Sequence, residues 1–170
     1  MARWGNAWRV RVLQEQIVML VLKEGRSEPM VVIKKARTED EMKQVYDIRR
    51  EVFIEEQGIS EEIEMDGRDD EAVHVLAVVD DQPAGCGRLL YNGNEARIGR
   101  VAVRKHMRRR SLGEGICGLL TAIAKDNGVE RIIIDAQLTA EAFYTHLGFV
   151  REGDVFMEAG IEHVRMYKDI

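Results

Sequence analysis

Residues 98–120, IGRVAVRKHMRRRSLGEGICGLL, decide how the rest of the chain is read. The stretch opens as a strand, with Ile98, Val101, Ala102 and Val103 interrupted only by Gly99 and Arg100. A basic turn follows, carrying Arg104, Lys105, Arg108, Arg109 and Arg110. Leu112, Ile116, Leu119, Leu120 and Ile123 then recur at the spacing of one helical face. A strand, a basic glycine-containing turn and a helix start make an anion site. The first helical amides have no partner within the helix, and its dipole favours negative charge there. Small residues such as Ser111 and Gly113 let a phosphate near the backbone while the arginines neutralise it. The expected ligand is phosphorylated. It is held neither by a Walker A loop nor by a dinucleotide fingerprint, because G-x-x-x-x-G-K-[ST] and G-x-G-x-x-G are both absent. Basic runs of this kind also mark nucleic-acid patches, so the flanking strand and helix carry the argument.

Composition bounds the rest. A chain of 170 residues, 45% hydrophobic and 32% charged, is expected to fold as one domain with a substantial core. Its net charge of -5 argues against nucleic-acid binding as the main task. The two cysteines, Cys86 and Cys117, show no zinc or redox spacing and read as small buried hydrophobes. No apolar run approaches the ~20 residues of a membrane span, and the expected setting is cytoplasmic. Residues 1–29 carry five basic and three acidic side chains, against a net charge of -7 for the remainder. They read as an N-terminal extension that can pack through Ile17, Val18, Leu20 and Leu22, with the domain proper spanning 30–170.

Along that domain, Val31 to Ala36 reads as an edge or near-edge strand. Thr38 with Glu41 forms a capping box, and Met42, Val45, Ile48 and Val52 extend a helix from 38 to about 55. Between Glu55 and Glu71 lie nine carboxylates and one arginine, read as a loop with a short helical turn. His74 to Asp80 reads as a strand, Asp81 to Gly85 as a turn, and Gly87 to Tyr91 as the hairpin partner. A tight turn at Asn92-Gly93-Asn94 leads into the organising strand and helix, the latter ending at Asn127-Gly128. Arg131 to Ala136 is a buried strand. Thr139 is expected to cap a short helix that stops at Gly148, and strands near 155–157 and 161–168 close the chain. The expected fold is α/β (α+β), a mixed sheet with helices packed against it.

Several separated segments together resemble one family. Arg108-x-x-Ser111-x-Gly113, or in a second frame Arg110-x-x-Gly113-x-Gly115, resembles the pyrophosphate motif Arg/Gln-x-x-Gly-x-Gly/Ala of the GNAT superfamily of acetyltransferases. Arg49-x-x-Val52-Phe53-x-x-Glu56-Gln57 resembles the first-helix signature of its small ElaA- or YjcF-like bacterial members. Glu64-x-Asp66-x-x-Asp69 followed by His74, Arg97 to Val103, Ala136-Gln137, and Phe143-Tyr144-x-x-Leu147-Gly148-Phe149 continue the series. Phe156-x-Glu158-x-Gly160-Ile161-x-His163-x-x-Met166 completes it, so the likeness covers essentially 30–170. The resemblance implies a mostly antiparallel sheet of six to seven strands, splayed at the cofactor site and flanked by about four helices. It further implies acetyl-CoA as co-substrate, with the pantetheine arm against Val101 and Val103 and the pyrophosphate on Arg108, Arg109, Arg110, Ser111, Leu112 and Gly113. Tyr144 matches the tyrosine that acts as general acid in many members.

Direct attack of an amine on a thioester needs no protein nucleophile. Glu56, Asp66, His74, Glu158 and His163 are candidate bases by type, histidine exchanging protons near neutrality. Glu56, Asp66 and His163 are also candidate acceptor-binding groups, with Arg49 and Arg88 as ion-pair partners for the two acids. The acidic stretch suggests a cationic amine. Asp66, Asp69, Asp70 and His74 match no metal-cage spacing, and no metal is expected. A homodimer is compatible with this reading; membrane and nucleic-acid partners are not expected. Two other readings stay open. The Val-Phe and Glu-x-Asp-x-x-Asp pattern also resembles acyl-homoserine-lactone synthases, and a non-catalytic acyl-CoA sensor or nucleic-acid module would share the basic turn.

Overall fold

The computed structural model describes residues 29–170, together with the backbone of three earlier strands, β1 (Arg3–Trp4), β2 (Trp8–Leu13) and β3 (Gln16–Val21). The side chains of Ile17, Val18 and Leu20, and the whole of Leu22, lie outside the described residues. The domain follows as β4 (Val31–Lys35), α1 (Glu39–Arg49), α2 (Glu61–Glu64), β5 (Val73–Val79), β6 (Gln82–Asn92), β7 (Glu95–Val103), α3 (Leu112–Asp126), β8 (Arg131–Gln137), α4 (Glu141–His146), β9 (Val150–Glu158) and β10 (Ile161–Asp169). Its seven strands lie in the order β4-β5-β6-β7-β8-β10-β9, all antiparallel except the β7–β8 pair. Strand β3 pairs antiparallel with the outer side of β4.

The sheet separates two apolar clusters. On one face α3 buries Ile116, Leu119, Leu120 and Ile123 against Leu89, Ile98, Ile132 and Ile134. On the other, α1 buries Val45 and Ile48 against Leu76, Cys86 and Ala102. The capping box forms as expected: the Glu41 amide donates to Thr38 Oγ1 and the Thr38 amide donates to Glu41 Oε2, both at 3.2 Å. At the far end of α3, Gly128 takes a left-handed φ of 77° and its amide bonds the Lys125 carbonyl. Among the described residues no helix is long and apolar enough to cross a membrane.

Three local expectations need correction. The helix expected to run from 38 to about 55 is α-helical only to Arg49; Arg50–Glu56 continues it as a π-helical segment. The turn expected at Asp81–Gly85 shrinks to Asp80-Asp81, both at positive φ, so Gly85 joins Gly87 as a strand residue. Their role is close approach: a Cβ on Gly87 would stand 2.6 Å from Ile116 Cγ2, so glycine lets α3 settle on the sheet. Thr139 caps nothing. It lies in a 3-10 turn, Leu138–Ala140, and α4 starts from Ala140 without a side-chain cap.

Candidate active site

The site begins where two parallel strands stop pairing. β7 and β8 are joined only at Glu95↔Arg131, Ala96↔Ile132 and Arg97↔Ile133; beyond these the strands part. The cause lies in β7. Arg100 adopts φ 52°, and the register against β6 shifts between Cys86 and Arg88, a bulge that bends the strand. The bulge also changes side-chain parity. Ala96 and Ile98 face α3 before it, and Val101 and Val103 face the same cluster after it, while Ala102 points to α1. Two successive non-apolar residues, Gly99 and Arg100, are its trace in sequence. The resulting cleft has a volume of about 620 Å³, and Val101, Val103, Ala136, Gln137 and Tyr144 are among its walls.

At one end of the cleft sits the basic turn. Arg109 and Ser111 both take left-handed backbone, φ 63° and 55°, immediately before α3. Ser111 therefore occupies a conformation that glycine adopts more cheaply, at a cost of roughly 1 kcal/mol for an L-residue. The amides of Leu112, Gly113 and Glu114 have no acceptor among the described residues. They form a cluster of free donors at the positive end of a 15-residue helix. Arg109 and Arg110 are exposed beside them, whereas Arg108 is folded back. Its Nε donates to the Val103 carbonyl at 3.0 Å, and its two Nη atoms grip Glu56 at 2.7 and 2.6 Å. That pairing holds the Glu56 carboxyl below its ordinary value. Arg104 is directed away from the turn, toward Glu51 and the Pro83 carbonyl.

Tyr144 lines the same cleft from α4. Only 8% of it is exposed, and burial pushes its phenol above the ordinary value, so it remains protonated at working pH. Its hydroxyl has no hydrogen-bond partner among the described residues. Phe143 and Phe149 hold the ring edge-on, at 4.9 and 5.9 Å between centroids. Burial drives the thiols of Cys86 and Cys117 up to about 12, which leaves them unreactive at neutral pH. His163 lies on the opposite wall. Its Nδ1 sits 2.9 Å from the Ile161 carbonyl, an oxygen that can only accept. In the neutral ring this places the proton on Nδ1 and the lone pair on Nε2, which lies 3.9 Å from Glu158.

The acidic stretch behaves otherwise. Arg49, fully buried, donates Nε to Glu64 at 2.6 Å, Nη1 to Asp69 at 2.7 Å and Nη2 to the Glu64 carbonyl. Arg88 grips both oxygens of Asp66 and also reaches Asp69. Arg100, displaced by the bulge, completes the set with Glu64 at 2.8 Å and Asp66 at 3.2 Å. Three guanidiniums thus meet three carboxylates. Asp66 is held far below its usual value, chiefly by Arg88, whereas burial raises Glu64. His74 Nε2 faces the Asp69 carbonyl at 3.1 Å, and burial lowers its pKa. With Glu56–Arg108, Glu61–Arg50 and Glu71–Arg68, six of the nine carboxylates are in ion pairs.

A parted parallel pair beside a helix with free amides is the arrangement the resemblance implies, and comparison with known proteins agrees. Residues 34–170 match the acetyltransferase (GNAT) domain. The chain belongs to the GNAT acetyltransferase family. The uncharacterised Bacillus subtilis protein YyaT is 38% identical over 141 residues, 81% of this chain and 95% of YyaT. The uncharacterised N-acetyltransferase YjcF of the same organism is 33% identical over 135 residues, 79% of this chain and 96% of YjcF. The crystal structure of a putative N-acetyltransferase from Lactobacillus plantarum superposes with a TM-score of 0.77 at 28% identity, covering 82% of this chain and 97% of that one. The chain thus falls with the YjcF-like members, and it shares its fold with Escherichia coli ElaA, TM-score 0.72 at 21% identity, covering 83% of this chain and 99% of that one.

Of the residues singled out in the sequence, this GNAT fold gathers Val101, Val103, Arg108, Tyr144, Asp66 and His163 around one cleft. Arg109, Arg110, Ser111, Leu112 and Gly113 follow at the start of α3. The expected ion-pair partners are re-sorted: Arg88 does take Asp66, but Arg49 takes Glu64 and Asp69, and Glu56 goes to Arg108. Two further contacts were not read from the sequence as site features, although Gln57, Gln137 and Arg97 stand in its motif segments. Gln57 accepts from Gln137 Nε2 at 2.8 Å across the cleft mouth. Asp135 is shared by Arg97 and Arg165 from the strands on either side of it. Alternation along β7, β8 and β10 puts these three on one face, but only the strand order makes them neighbours.

Proposed function

We propose that the protein is an acetyl-CoA-dependent N-acetyltransferase that passes the acetyl group to a primary amine by direct attack. The observation that carries this is the parting of β7 from β8 after Arg97, which frees a strand edge facing a cleft of about 620 Å³ whose lining includes Arg108 of the turn that leads into α3. An extended pantetheine arm can pair with the freed edge near Val101 and Val103, as an added strand would. The pyrophosphate fits the amides of Leu112 and Gly113, with Ser111 and the arginines at 108–110 around it. The left-handed backbone at Ser111 supports the frame Arg108-x-x-Ser111-x-Gly113, in which Ser111 stands where the motif has glycine.

Tyr144 serves as the general acid for the departing sulfur. His163, with a bare Nε2 on the cleft wall, serves as acceptor for the amine's proton. Neither cysteine takes part. Two unpaired, buried thiols suit a reducing, cytoplasmic setting. Residues 30–170 form the catalytic domain, and 1–29 an extension to it.

Thermal-shift titration with CoA and acetyl-CoA tests the coenzyme reading, followed by an amine screen that reads free thiol. Both species should raise the unfolding midpoint with saturation. Tyr144→Phe should lower turnover by about 10²-fold while CoA affinity stays within about twofold. A domain that takes up neither coenzyme species rules the function out.

A further inference from the structure

The acceptor side of the cleft has its own charge pattern. Arg97 on β7 and Arg165 on β10 share one carboxylate, Asp135 on β8, which Arg165 meets through Nε at 2.8 Å and Nη2 at 3.3 Å. Asp135 is nearly covered, at 12% side-chain exposure, while both arginine side chains stay about two-fifths exposed. Arg97 bonds Asp135 through Nη1 alone; its Nε and Nη2 have no hydrogen-bond partner among the described residues. Two cations share this one anion, and with Glu158 near Arg97 as a second carboxylate, what stays open at the cleft wall is a fork of unpaired donors on Arg97. Nearby Arg68 is already taken by Glu71. The acidic stretch, by contrast, is largely neutralised by arginines from other elements.

Distances along the sheet limit what such a fork can hold. Arg97 pairs with Ile133, but its guanidinium reaches Asp135, whereas His163 pairs with Gln137, two residues farther along β8 on the same face. At ~3.4 Å per residue the two rows lie about 7 Å apart. A molecule whose anionic end is held by Arg97 and whose amine reaches His163 has only a few bonds between the two groups. Glu158, beside His163, can receive the amine in its ammonium form. Phe53, Ile59 and Ile63 supply an apolar wall.

We propose that the acceptor is a free amino acid with an apolar side chain, its carboxylate held by Arg97. This rests on the acetyltransferase reading above. The amine nitrogen bonds the acetyl carbonyl carbon and the carbon–sulfur bond breaks. The ammonium first sheds one proton to solvent; the neutral nitrogen then gives up a second as the sulfur takes one, so one amino acid and one acetyl-CoA yield one N-acetyl amino acid, one CoA and one released proton. Arg97 sets specificity and takes no part in the chemistry.

Three acceptors of one shape test it: leucine, leucinamide and 3-methylbutylamine, each with acetyl-CoA, read by free thiol and product mass. Leucine should show a kcat/KM about 10- to 100-fold above both others, the worth of a charge-assisted pair. In Arg97→Gln the KM for leucine should rise about 10-fold or more and the preference should fall toward one. Arg97→Lys, charged but without the fork, should fall between. Equal or better use of the amide or the simple amine by the unaltered protein overturns the proposal. So does a preference that survives in an Arg97→Gln protein still binding CoA. Should that variant not fold, the three-way comparison on the unaltered protein decides alone. Release of no thiol from any of the three also overturns it. Calorimetry with CoA then separates the cases: retained binding leaves the coenzyme site standing, and lost binding removes both readings.

Discussion

The most basic stretch of the chain, 104–110, and the most acidic, 55–71, look equally available as ligand surfaces when read as charge runs. In the fold they differ. The basic turn lies at the cleft with Arg109 and Arg110 exposed and the first amides of α3 without acceptors among the described residues. The acidic stretch has six carboxylates matched to arginines, two of which, Arg49 and Arg88, are buried. The lesson is that charge run together along a chain reports local composition. Availability depends on what the sheet brings opposite it. One pair, Glu56 with Arg108, ties the two stretches together at the cleft mouth.

The comparison can be broken most severely at Arg49. Arg49→Ala leaves Glu64 buried with Arg100 as its remaining ion-pair partner, and should cost about 3–5 kcal/mol in urea unfolding. A loss under about 1 kcal/mol would mean the acidic loop is not anchored this way. Next in size, the double variant Arg109→Ala/Arg110→Ala should weaken CoA binding about 10-fold and flatten its salt dependence. Calorimetry at two ionic strengths reads both, and unchanged affinity would place the pyrophosphate elsewhere.

A smaller effect concerns pH. His74 is lowered in the fold, so the unfolded chain takes up its proton first and stability falls as pH drops below about 6.5. Asp66 and Asp69 are also lowered, chiefly through Arg88 for Asp66, so a second decline begins below about 4. The raised Glu64 opposes it. Urea midpoints between pH 7.5 and 5 should show the first decline in the natural protein and lose it in His74→Asn. Smallest of all, Ser111→Gly should stabilise the fold by a few tenths to about 1 kcal/mol by removing the left-handed strain. CoA affinity should stay within about twofold, and destabilisation would show that the serine hydroxyl contributes a bond of its own.

Much of the fold was legible in the residues because it rests on local chemistry. Thr38 and Glu41 announce a helix start that forms as read, and Gly128 a helix end. The α3 face from Leu112 to Ile123 shows a period that nothing else along the chain disputes. Errors arose where a residue answered to a distant neighbour. Gly85 reads as a turn residue until Ile116 is seen to need the space beside β6. Thr139 reads as a cap until the chain leaving β8 forms a 3-10 turn there. Arg100 reads as an interruption and proves to mark the bulge that opens the cleft.

The order of amino acids settled the strand–turn–helix unit at 98–120 and the family signature spread over the domain, since periodicity, caps and motif spacing act over a few residues. It did not settle which charges cancel. Arg97 meets Asp135, and Asp135 meets Arg165, only after strands far apart in the chain lie 5 Å or so from one another in the sheet, and Arg49 meets Asp69 only once the end of α1 packs against the turn before β5. Coulomb attraction and desolvation depend on distance and burial, and those two quantities belong to the folded molecule alone.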